Sequence, residues 1–118
     1  MTQAKQPVSV LVVIHTPAAD VLLLERAAHQ GFWQSVTGSR EGDEALLDTA
    51  CREVTEETGI VLPPSHFIDW RLSNSYEIFA EWRHRYAAGV TVNVEHVFSL
   101  CLPERIDMAL HADMRLGQ

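Results

Sequence analysis

Three glutamates and an arginine crowd one short stretch of this sequence. Arg52, Glu53, Glu56 and Glu57 lie inside GSREGDEALLDTACREVTEETGI, which runs from Gly38 to Ile60. On a helix, Glu53, Glu56 and Glu57 fall within an arc of about 100°. Like charges three or four residues apart on a helix repel by roughly 0.2–0.5 kcal/mol per pair. A cation relieves that repulsion, and clustered hard oxygens suit Mg²⁺ or Mn²⁺ better than zinc. Arg52 can pair with Glu56 one turn on or with Glu44 two turns back. Taken alone, the three glutamates read first as a solvated acidic face; the elements around them and their exact spacing decide otherwise.

Glu44–Thr58 reads as the helix that carries them, with Asp43 as N-cap and Gly59 just past its end. Leu46, Leu47, Ala50, Cys51 and Val54 form its apolar stripe, and Pro63-Pro64 forbids continuation. Ahead of it, Val8–His15 is rich in β-branched residues and reads as a buried strand. Val21–Arg26 reads as its hairpin partner, and Phe32–Thr37 as a short extended segment leading to Gly38. Phe67–Ser75, Ile78–Tyr86 and Asn93–Leu102 read as three further strands. Strands, one helix, then strands again point to an α+β fold with a mixed sheet.

The chain has 118 residues, enough for one domain, with 47% hydrophobic and 21% charged residues. Its net charge of −7 argues against nucleic-acid or membrane-surface binding. A phosphate-rich ligand must therefore be held by local bases and metal. Cys51 and Cys101 lack metal-type spacing and read as reduced, buried thiols. With no signal-peptide pattern or membrane-length apolar run, the expected setting is cytoplasmic.

The full spacing is more informative. Gly38 is followed by five residues and Glu44, then by seven and Arg52-Glu53-Val54, one more and Glu56-Glu57, and one more and Gly59-Ile60. In this the chain resembles the Nudix hydrolases, at nine positions over twenty-three residues. The one departure is Asp43, where many relatives carry Gly before the motif glutamate. The resemblance implies a Nudix α/β/α sandwich with a mixed sheet and a loop–helix–loop motif. It implies hydrolysis of a phosphoanhydride in a small-molecule triphosphate with the help of Mg²⁺ or Mn²⁺. Glu53, Glu56 and Glu57 would be metal ligands, joined by the Gly38 carbonyl. Glu53, Glu57 and Arg52 would be the catalytic group: Glu53 orienting or deprotonating the attacking water, Arg52 holding the carboxylates.

The stretches PVSVLVVI (7–14), FWQSVTGS (32–39), YEIF (76–79) and RHRYAAGVTVNVEHVFSLCLP (83–103) resemble the dihydroneopterin triphosphate pyrophosphatase branch of that family. That resemblance implies cleavage to the monophosphate and pyrophosphate, a step of folate synthesis. Its substrate contacts carry over to Lys5, Arg26, Thr37, Tyr76, Glu77, Ile78 and Phe79. Lys5 and Arg26 could meet phosphates, and Tyr76 and Phe79 could wall a flat pterin. Trp33 reads as core, and His84 as a strand-face residue without chemistry. Glu95 and His96 look like a metal pair, but adjacent strand residues point to opposite faces.

The branch also implies a Glu-His pair after Pro103, its Glu a further ligand, then a strand and a long helix. Here the sequence reads ERIDMALHADMRLGQ, with Leu110-His111 nearest to that pair and Glu104, Asp107 and Asp113 close by. A single C-terminally short domain is thus expected, with the long helix missing. An apolar face would then be exposed or covered in a homo-oligomer. Two other functions compete: a house-cleaning (d)NTP pyrophosphatase and an inactive Nudix-like binding module.

Overall fold

Apolar residues alternate along the strand Val8–His15 (β1), burying Val10, Val12 and Ile14 on one face. The computed structural model describes residues 4–26, 31, 33–103 and 114–116, with Arg26 and 114–116 described by backbone alone. The short strands Leu24–Arg26 (β2), Trp33–Gln34 (β3) and Val36–Ser39 (β4) follow. The helix Leu46–Thr58 (α1) comes next, then Phe67–Glu77 (β5), Val92–Cys101 (β6) and Met114–Leu116 (β7). One sheet has the order β4-β1-β6-β5, and a smaller one the order β3-β2-β7. β1 runs parallel to β6 and antiparallel to β4, so the main sheet is mixed, as expected.

α1 lies on the Val10–Val12–Ile14 face. Ala50 and Val54 are buried there with Val36, Phe98 and Leu100, and Leu46, Leu47 and Cys51 pack at the margin. Gly59 ends the helix in a left-handed conformation (φ 80°), its N–H bonded to the Thr55 carbonyl. Only glycine adopts that conformation without a steric penalty.

Five expectations need correction. The helix starts at Leu46 and not Glu44, and no side chain caps it. Asp43 is exposed, and the Glu44 side chain turns back to the Glu41 N–H at 2.9 Å and to Arg52. Ile78–Tyr86 is not a strand: Ala80–Arg85 winds into a 3-10 helix. Within it Arg83 donates to the Ile78 carbonyl and to Glu77 on the preceding segment. The β1–β2 hairpin reduces to the single bridge His15–Val21, after which β2 pairs with β3 and β7. Ala19 at φ 68° and the Thr16–Asp20 hydrogen bonds tighten that turn and divert the chain. Trp33 is 41% exposed instead of core, and of the two free thiols Cys51 is half-buried and Cys101 exposed.

Ile68, Trp70 and Leu72 stand half-exposed on β5, where a register shift between Asp69 and Ser73 interrupts the pairing with β6. Among the described residues no helix is long and apolar enough to cross a membrane.

Phe98 is 1% exposed at the centre of the sheet. Phe98→Ala should therefore cost about 3–5 kcal/mol, seen in urea unfolding as a lower midpoint with an unchanged slope.

Candidate active site

Arg52 sits on the first half of α1 and faces back toward the loop before it. Its Nη2 donates to Glu44 Oε1 at 2.7 Å and to the Ser39 carbonyl at 3.0 Å, and its Nε to Glu44 Oε2 at 3.2 Å. Its Nη1 reaches Glu53 Oε1 at 2.8 Å and Glu56 Oε2 at 3.3 Å. A planar guanidinium thus ties helix, loop and strand β4 together, a geometry that suits Arg and not Lys. The hydrogen bond from Arg52 holds the Glu44 carboxyl well below its ordinary 4.5, at about 2. The same pair, Glu44 foremost, pushes the Arg52 guanidinium above its usual range.

Glu53 points from the helix onto β4, where its carboxylate lies against the α-carbon of Gly38 in the space a Cβ would fill. Burial pushes its carboxyl up, while a hydrogen bond with Glu57 and the charge of Arg52 pull it down. Glu53 and Glu57 are thus neighbouring carboxylates on one helix face, four residues apart. A hard cation would relieve the repulsion between them.

The structure brings together Arg52, Glu53, Glu57 and Gly38. It does not complete a three-carboxylate chelate: among the described residues no three His, Cys, Asp or Glu groups are placed to hold a metal ion. Glu56 is exposed and turned to Arg52, the cation present. The donors that fit a divalent metal are nevertheless at hand, all of them hard carboxylate oxygens on one half-buried helix face. Glu104, Asp107, Leu110, His111, Ala112 and Asp113 lie outside the described residues.

Of the expected substrate residues, Thr37 and Tyr76 lie on the other side of the sheet. Gly38 faces α1, so its neighbours Thr37 and Ser39 face away. Thr37 pairs with Leu11 on β1 and accepts a 3.4 Å hydrogen bond from Gln34. Lys5 bridges to Tyr86 and places its ammonium 5.8 Å from the ring centroid. Tyr76 is half-exposed at the end of β5, with its hydroxyl bonded to Asn93 Nδ2 at 3.0 Å. Phe79 is 62% exposed and stacks edge-on with Trp82. Glu77 is exposed and paired with Arg83. Ile78 is buried and anchors the segment, so it offers a ligand no side chain. Arg26 lies on β2, its side chain outside the described residues. His84 is exposed on the 3-10 helix, not on a strand.

Sequence reasoning missed Asn93 and Ser9, a fully buried pair joined at 2.8 Å on this second face. A polar residue inside an apolar strand, at Ser9, was the available signal.

The NUDIX domain family profile matches residues 5–113. The chain belongs to the Nudix family of hydrolases. It is 48% identical over 102 residues to the dihydroneopterin triphosphate diphosphatase of Escherichia coli K12, covering 84% of this chain and 68% of that one. It is 42% identical over 108 residues to the Haemophilus influenzae protein of the same name, covering 89% and 68%. The solved structure of the E. coli dihydroneopterin triphosphate pyrophosphohydrolase superposes with a TM-score of 0.88 at 40% identity, over 98% of this chain and 82% of that one. In this Nudix chain Arg52 is the electrostatic hub of the helix that defines the family.

Two outcomes test this geometry. Gly38→Ala should displace Glu53 and weaken Mn²⁺ binding by about 10–100-fold in calorimetric titration, with the circular dichroism spectrum unchanged. The Glu44 carboxyl is depressed in the fold, so its stabilisation is present above about pH 4.5 and lost as the pH falls towards 2. Glu44→Gln should therefore shrink the drop in urea midpoint between pH 7 and pH 3 relative to wild type.

Proposed function

We propose that this chain hydrolyses dihydroneopterin triphosphate to the monophosphate and pyrophosphate, with Mg²⁺ or Mn²⁺ as cofactor. The observation that carries the reading is the Glu53 carboxylate seated on Gly38, hydrogen-bonded to Glu57 and held by Arg52. The names and identities of the two bacterial relatives support the choice of substrate.

Glu53, Glu56 and Glu57, with the Gly38 carbonyl, are the groups that would hold the metal. When bound there, a divalent cation neutralises phosphate oxygens and lowers the pKa of a coordinated water. Glu53 orients or deprotonates the attacking water, with Arg52 fixing its carboxylate. Arg52 acts on the carboxylates and keeps their charges from driving them apart. Thr37 and Tyr76 bind the substrate on the face away from α1, joined by Lys5, Arg26 and the exposed ring of Phe79. With a net charge of −7, the chain needs such local bases to hold a triphosphate. A reducing cytoplasmic setting accords with the two free thiols.

Pyrophosphate release from dihydroneopterin triphosphate in Mg²⁺ should exceed release from every member of a (d)NTP panel. Equal or faster turnover of a nucleotide would replace the pterin with a nucleotide substrate. Glu57→Gln should lower kcat by at least about 100-fold, and full activity in that variant would refute the metal site.

A further inference from the structure

β6 crosses the face away from α1 with Asn93 and Glu95. Glu95 pairs in register with Ser9 on β1 and Asn74 on β5, and Asn93 with Tyr76. Ser9 in turn pairs with Ser39, and Leu11 with Thr37, so these positions share the face that carries Thr37 and Tyr76. His96 pairs with Val10 and belongs to the opposite, helix-facing side.

Two acceptors on this face are left over. Asn93 is 1% exposed and commits both Nδ2 hydrogens, to Ser9 Oγ and to the Tyr76 hydroxyl. Its Oδ1 is buried and accepts no hydrogen bond among the described residues. Glu95 is half-buried two residues along, with neither a hydrogen bond nor an ion pair among the described residues, and burial pushes its carboxyl up. Buried or half-buried acceptors without donors are unfavourable. A carboxylate accepts only, and accepts two parallel N–H groups best.

We infer that Glu95, flanked by the buried Asn93, is the specificity-determining acceptor for a heterocycle that presents an exocyclic amine next to a ring N–H. A 2-amino-4-oxo ring such as a pterin or guanine has that donor pair; adenine does not, and hypoxanthine lacks the amine. The inference rests on the proposed reading of the substrate as a heterocyclic triphosphate. It adds which edge of the ring is read and by which residues.

The experiment compares kcat/KM for dihydroneopterin triphosphate, GTP, ITP and ATP, in wild type and in Glu95→Gln, with thermal melts to establish folding. Wild type should favour GTP over ITP by about ten-fold or more, as a site built around a donor rejects the analogue lacking it. Glu95→Gln should lower the ratio of dihydroneopterin triphosphate to ATP by about 10–100-fold, chiefly through KM. An unchanged ratio in a folded variant, or equal turnover of GTP and ITP by wild type, would overturn the inference. If the variant does not fold, the wild-type GTP/ITP comparison decides alone. A wild type that prefers a nucleotide to the pterin would sink the proposed substrate, while the GTP/ITP ratio still decides the role of Glu95. No turnover of any of the four would overturn both.

Discussion

The Arg52 guanidinium is the interaction on which the rest of the site depends. Four acidic side chains, Glu41, Glu44, Glu53 and Glu56, lie within ion-pair distance of it. Without a central cation they would repel one another across a short loop and one helical turn. The fork shape matters as much as the charge. One edge is occupied by Glu44, another by Glu53 and Glu56, and a third direction by the Ser39 carbonyl on β4. The helix is thereby locked to the strand whose Gly38 receives Glu53. A lysine would supply the charge without the three directions.

The sheet then divides the chemistry by its period of two. On β4, Gly38 faces the helix and the carboxylates, while Thr37 and Ser39 face the opposite side. On β6, the same alternation sends Phe98 and Leu100 into the core beneath α1 and Asn93 and Glu95 to the other face. One short strand, β4, therefore lies between a metal-suited helix and a polar face suited to a ring system. A triphosphate ligand with a flat head spans just such a division.

Much of this was legible in the sequence because it rests on local spacing. The glutamate cluster, Gly59 as the helix stop, and β1, β5 and β6 as strands all follow from periodicity and from residues with special conformations. What was not legible depends on tertiary partners. Asp43 was taken as the cap by its type, but the Glu44 carboxylate is drawn to Arg52 and moves the helix start to Leu46. Ile78–Tyr86 has strand-like aromatic residues, yet Arg83 bonds back to Ile78 and Glu77, and the segment coils. The pairing of Glu56 with Arg52 at 3.3 Å likewise depends on how the guanidinium is placed by its other partners. The buried Asn93–Ser9 pair joins residues far apart in the chain, so a polar Ser9 in an apolar strand flags the position but not its partner.

The central claim is that Glu53, held by Arg52, and its neighbour Glu57, with Gly38, form a divalent-cation site at a phosphoanhydride. Anomalous diffraction from crystals grown with Mn²⁺ and a non-hydrolysable triphosphate tests it most directly. The account predicts a strong manganese peak within about 2.5 Å of a Glu53 or Glu57 oxygen and bridged to the triphosphate. Manganese bound elsewhere, with Glu53 still hydrogen-bonded to Glu57 and the triphosphate in place, would contradict it.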